Sequence, residues 1–186
     1  FKEHFIKNMP IVSIFDSLMI IIWACFPAYN TFKIFKFKFK LKWWHPFAFI
    51  LTVIILFFIA LVFVKFLQWF LEMPSQSLVK KLTEANYSFT SIILLICVQP
   101  AIIEELAFRG IVFKVLEKAL KPVETVLISG FLFAMLHLSL ISLPILFLLG
   151  IFFGYIRYKT GSIYPSMIAH FLHNFAVIIF DKMGWA

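Results

Sequence analysis

Charged side chains are scarce in this chain. Only 14% of its 186 residues are Asp, Glu, Lys or Arg, and 63% are hydrophobic, whereas about 25% of the residues of a typical soluble domain are charged. The mean hydropathy is +1.00. This composition excludes an ordinary soluble domain and indicates an integral membrane protein, whose first partner is the lipid bilayer.

Cysteines are few, and the short motifs of several large enzyme classes are missing. The two cysteines, Cys25 and Cys97, fall in apolar stretches of different predicted helices, so packed thiols are favoured over a disulfide. The sequence contains no His-Glu-x-x-His, Gly-x-Ser-x-Gly, Gly-x-Gly-x-x-Gly or Walker motif. It therefore gives no support to a metalloprotease of the usual kind, a serine hydrolase or a nucleotide-binding enzyme.

Long apolar stretches predict membrane-spanning helices. Six of them lie at about 11–29, 47–71, 89–113, 126–138, 143–158 and 163–180. The fourth is short, but Pro122 can occupy the first turn of a helix that begins before it. We therefore expect an all-α polytopic membrane protein, with a two-helix region, basic loop and linker at 1–88 and a core at 89–186.

Acidic residues are fewer than basic ones, nine against seventeen, and the net charge is +8. The basic residues lie between apolar stretches, so positive-inside topology explains them better than nucleic-acid binding. Ten basic residues lie in the first, third and fifth loops between the predicted spans, the odd-numbered loops (Lys33, Lys36, Lys38, Lys40, Lys42, Lys114, Lys118, Lys121, Arg157 and Lys159). Five lie on the opposite side of the membrane (Lys2, Lys7, Lys80, Lys81 and Lys182). This bias predicts outward termini and cytoplasmic odd-numbered loops.

Proline and glycine bear on how the predicted helices pack. Pro100 precedes Glu104 by about one helical turn, so it frees a carbonyl upstream and favours a kink. Gly150 and Gly154 form a small-xxx-small pair, which either marks a close helix crossing or occurs by chance in an apolar segment.

Three ionisable residues interrupt the third apolar stretch, namely Glu104, Glu105 and Arg109. A charge at bilayer depth costs roughly 2.5 to 3.5 kcal/mol on insertion scales, so such residues indicate a functional site. Glu105 and Arg109 are four residues apart and predict a salt bridge. Glu104 points to a neighbouring face, which leaves it free to act as a general base.

Histidines occupy equally apolar surroundings at His137, His170 and His173, and Asn174 follows His170 by four residues on the same helix face. At about 1.5 Å per residue, Glu104, His137 and His170 lie roughly 14, 16 and 10 Å from the cytoplasmic ends of their helices. This similar depth predicts one buried polar site between helices three, four and six. A carboxylate base, a histidine and an Asn/His donor pair suit hydrolysis by an activated water.

The motifs Glu-Glu-x-x-x-Arg at 104–109, Phe-x-x-x-His at Phe133 and His137, and His-x-x-x-Asn at His170 and Asn174 follow one another on successive helices. In this order they resemble the intramembrane proteases that include the Ras-converting CAAX prenyl endopeptidase and the bacterial Abi (bacteriocin-processing and immunity) proteins. The resemblance covers about residues 89–180, and the stretch 160–165 also resembles the approach to the last motif.

The resemblance implies an intramembrane endopeptidase acting on a membrane-associated or hydrophobic peptide, in a multi-pass protein that we expect in a bacterial plasma membrane. Glu104 with His137 would activate water, while His170 and Asn174 would stabilise the oxyanion. Glu105 and Arg109 would organise the site or hold a substrate terminus, Phe133 would pack, and His173 would at most support. We expect no required cofactor and no metal; if a metal such as zinc takes part, Glu104, His137 and His170 are its candidate ligands.

Two hypotheses from other classes stay open. A non-catalytic immunity or partner-binding protein could use the same fold to bind a bacteriocin, a pheromone or another membrane enzyme. A proton or ion carrier could use the buried Glu and His side chains.

Overall fold

The structure is a computed structural model that describes residues 45–72 and 77–185. These residues form six helices and no strand: α1 (His45–Phe70), α2 (Leu78–Glu84), α3 (Phe89–Leu116), α4 (Pro122–Met135), α5 (Leu143–Thr160) and α6 (Tyr164–Lys182). The predicted all-α membrane fold is confirmed. The first predicted span, its basic loop and Cys25 lie outside the described residues.

Three of these helices, α1, α3 and α5, are long and apolar enough to cross a membrane, and α4 is a shorter apolar helix. Pro122 occupies the first turn of α4, as predicted. The predicted fourth span ran to 138, three residues beyond the end of α4 at Met135. Apolarity continues through the turn beyond it, so hydropathy alone does not mark where the helix stops.

The short helix α2 was not predicted from the sequence. Ser77 caps it, since the Ser77 hydroxyl accepts the Lys80 N–H at 3.0 Å. The Asp181 carboxylate on α6 accepts the Val79 N–H at 2.8 Å. With Leu82, Val79 packs into an apolar cluster that also contains Cys97, which is a buried free thiol as predicted.

Helix α3 is α-helical at both ends but contains two π-helical segments, Leu94–Val98 and Leu106–Val112. Pro100 has no N–H with which to donate the α-helical bond to the Ile96 carbonyl. The Asn174 side chain on α6 donates to this carbonyl instead, at 2.9 Å. The predicted release of a carbonyl by Pro100 therefore joins α3 to α6.

Helices α4 and α5 cross at backbone contact. A Cβ built on Gly150 would lie 2.7 Å from the Gly130 carbonyl oxygen, and one on Gly154 would lie 3.3 Å from the Ser129 hydroxyl. Of the two alternatives left open for the glycine pair, the structure shows the close crossing, and the partner of Gly150 on α4 is Gly130. This crossing places α5 against the middle of α4 and leaves the end of α4 beside α3 and α6.

The larger apolar core lies between α1, α3, α4, α5 and α6. Its buried members are Val53, Phe108, Phe133, Leu149, Phe153, Ile156 and Ala169. Phe133 is in edge contact with Phe108 and Phe153. These aromatic rings therefore pack against the polar side chains of α3 and α6.

Candidate active site

The acidic pair is carried by an α-helical stretch of α3, Gln99–Glu105, between the two π-helical segments. Arg109 lies within the second π-helical segment. Such segments inside α-helices are frequent at functional sites, because the extra residue per turn redirects the side chains that follow it. The local backbone thus sets the directions in which Glu104, Glu105 and Arg109 point.

Glu104 faces two histidines from two other helices. Its Oε2 lies 3.9 Å from His137 Nε2 and 4.0 Å from His170 Nε2. Both distances are too long for a direct hydrogen bond. The side chains of Glu104 and His137 are 29% and 32% exposed, whereas that of His170 is 5% exposed. Glu104 and His137 therefore form the accessible side of the site.

The second nitrogen of each imidazole is held by an acceptor. His137 Nδ1 lies 2.9 Å from the Phe133 carbonyl oxygen, and His170 Nδ1 lies 3.2 Å from Glu105 Oε1. A carbonyl and an ion-paired carboxylate can only accept, so each Nδ1 carries the proton. In the neutral rings, both Nε2 lone pairs consequently turn towards Glu104.

The predicted pair between Glu105 and Arg109 is present, with 3.4 Å between Glu105 Oε1 and Arg109 Nη1, and neither side chain is exposed. Arg109 Nη2 also donates to the Gly150 carbonyl at 2.9 Å. The guanidinium lies 4.6 Å from the ring centre of Phe133, which packs as predicted. Because Arg109 is enclosed on these sides, the geometry favours its organising role over capture of a substrate terminus.

The two remaining predicted residues lie on α6. The Asn174 side chain donates to Ile96 as described above, and one hydrogen of its amide stays available. His173 is buried, and its ring centre lies 6.1 Å from that of Phe57 on α1. His173 thus lies towards α1.

Two contributors to this region were missed from the sequence. The Gly150 carbonyl is a backbone group and leaves no sequence signal. Arg157 was counted among the loop charges, yet it lies within α5, is buried, and donates through Nε to the Arg109 carbonyl at 3.1 Å. Its spacing of seven residues from Gly150, two helical turns, was the available signal.

Residues 86–176 match the family described as type II CAAX prenyl endopeptidase, Rce1-like. The matched segment contains all three motifs, from Glu104 to Asn174. No match to the chain was found among curated proteins or among solved structures.

Proposed function

Residues 86–176 belong to the Rce1-like family of CAAX endopeptidases, and from this premise we propose that the chain hydrolyses a peptide bond of a membrane-associated or hydrophobic peptide with a glutamate-activated water. The observation that carries the proposal is the convergence of His137 Nε2 and His170 Nε2 on Glu104 Oε2, at 3.9 and 4.0 Å. At such separations, a water can bridge polar groups that do not touch.

Glu104 and His137 Nε2 are acceptors, and water supplies the hydrogens they lack. One O–H donates to Glu104 and the other to His137 Nε2, which directs a lone pair of the water oxygen outward. As the water attacks the peptide carbonyl carbon, its proton passes to Glu104. Glu104 then returns this proton to the leaving amine, and the peptide C–N bond breaks.

The oxyanion is assigned to α6. Asn174 has one amide hydrogen beyond the one donated to Ile96. His170 donates through Nε2 when its ring carries both protons, and Glu105 then accepts from Nδ1. Arg109 in turn holds Glu105. This arrangement resembles other sites in which a buried carboxylate orients a catalytic imidazole.

The proposed substrates are bacterial peptides matured at the plasma membrane, and their accumulation tests the function. Membrane peptides from cells that lack the protein are compared by mass spectrometry with those from cells that express it. We expect at least one uncut peptide to accumulate, and to disappear on complementation with the wild type but not with Glu104→Gln. Complementation by both versions would contradict hydrolysis.

We also propose that water is activated without a metal. Peptidase activity of the purified protein is therefore expected to survive a strong zinc chelator, when measured on a peptide found by the accumulation experiment. Loss of activity on chelation, with recovery at one zinc per chain, would replace this mechanism by Lewis-acid catalysis with Glu104, His137 and His170 as ligands.

A further inference from the structure

Arg157 is a buried cation near the end of α5 that the proposed reaction does not use. Arg157 is 7% exposed, and its guanidinium carbon lies 5.5 Å from the ring centre of Phe113 on α3. Its Nε donates to the Arg109 carbonyl at 3.1 Å. A cation buried within the protein is costly unless its contacts offset the cost.

The carbonyl that Arg157 contacts lies within a π-helical segment. In an α-helix, the Phe113 N–H would donate to the Arg109 carbonyl. Here the Phe113 N–H donates to the Phe108 carbonyl instead. The Arg109 carbonyl therefore loses its α-helical donor, and Arg157 supplies one from the neighbouring helix.

Arg109 forms a second hydrogen bond between the same two helices, with the donor now on α3 and the acceptor on α5. Its side chain on α3 donates to the Gly150 carbonyl of α5 at 2.9 Å, while Arg157 of α5 donates to the Arg109 carbonyl of α3. On α5 the two contact points are separated by about 10 Å, at about 1.5 Å per residue. Two reciprocal bonds this far apart oppose both sliding and rotation of α3 against α5.

We propose that Arg157 is a positioning residue for the hydrolysis proposed above, on which this inference rests. By holding the backbone of Arg109, it holds the guanidinium that contacts Glu105. Glu105 in turn accepts from His170 Nδ1. The orientation of His170 towards Glu104 therefore depends on a donor at the far end of α5.

Substitutions at position 157 separate the donor from the charge. In Arg157→Gln, a side-chain N–H stands where Arg has Nε, while the charge is removed. In Arg157→Lys, a methylene stands there, while the charge is kept. We expect Arg157→Gln to keep kcat within about threefold and Arg157→Lys to lose about tenfold to a hundredfold in kcat, with KM little changed.

The matched control is Lys159→Gln, which removes an exposed charge from the same helix end and is expected to leave kcat unchanged. If Arg157 acted only through positive-inside topology, the order of the two variants in kcat would be reversed. Lys would then substitute for the charge of Arg, whereas Gln would not. An Arg157→Lys variant with wild-type kcat overturns the positioning role.

A second measurement does not need peptidase activity. In protein labelled with ¹⁵N-histidine, the proton that His170 Nδ1 donates to Glu105 should exchange slowly with solvent. Its NMR signal is the one that disappears in His170→Asn. We expect the signal to persist in Arg157→Gln and to weaken in Arg157→Lys. If the wild type cleaves no peptide but the signal follows the donor, the proposed function fails and the positioning stands. An equal signal in all three proteins overturns the positioning.

Discussion

Glu104→Gln is expected to lose at least about a hundredfold in turnover, the usual scale of a general-base contribution. Gln is nearly isosteric with Glu and still forms hydrogen bonds, but it cannot take a proton from water. The variant should insert and fold, with slightly higher thermal stability because a partly buried acid is neutralised. Peptide cleavage in liposomes and thermal unfolding in detergent measure the two effects separately.

The partner of Glu104 provides an internal check. His137→Ala should lose a similar factor, and the double variant should be little worse than either single one, because groups that act on one water are not additive. Glu84→Gln is the matched control, since Glu84 is exposed on α2. If Glu104→Gln kept the cellular phenotype, such as full bacteriocin immunity, the protein would work by binding rather than by hydrolysis.

Arg109→Lys is expected to damage activity although it keeps the positive charge. The planar guanidinium reaches Glu105 and the Gly150 carbonyl with different nitrogens while it lies against Phe133. An ammonium cannot reproduce this fork. Leaving one of these buried acceptors without a donor costs about 1–3 kcal/mol in the free energy of unfolding.

Arg109→Met shows what the charge itself contributes. It leaves the Glu105 carboxylate buried without a cation, which costs about 3–5 kcal/mol. We therefore expect stability to fall in the order Arg, Lys, Met, with activity impaired already in the Lys variant while the protein is still inserted. Lys159→Arg, the reverse exchange at an exposed position, is the control. Full activity of Arg109→Lys would mean that Arg109 only balances charge.

The helices and the residues of the site could be predicted because the bilayer makes local sequence informative. A span needs a long apolar stretch wherever it packs, so α1, α3 and α5 were located to within three residues at each end. A charge in lipid is costly enough that Glu104, Glu105 and Arg109 could be singled out before any neighbour was known. The missing N–H of Pro100 likewise predicted a free carbonyl.

What remained undetermined depended on how one helix is rotated and shifted against another. The sequence determined which residues enter the membrane and which i,i+4 pairs share a helix face, because these follow from chain geometry. Only the tertiary structure decided that Gly150 meets Gly130, that Asn174 reaches Ile96, and that Arg157 bonds to the backbone of Arg109. These contacts join residues that are distant in the chain, and each involves a backbone carbonyl. Because every residue has a backbone carbonyl, the residue types in the sequence do not indicate which carbonyl is contacted.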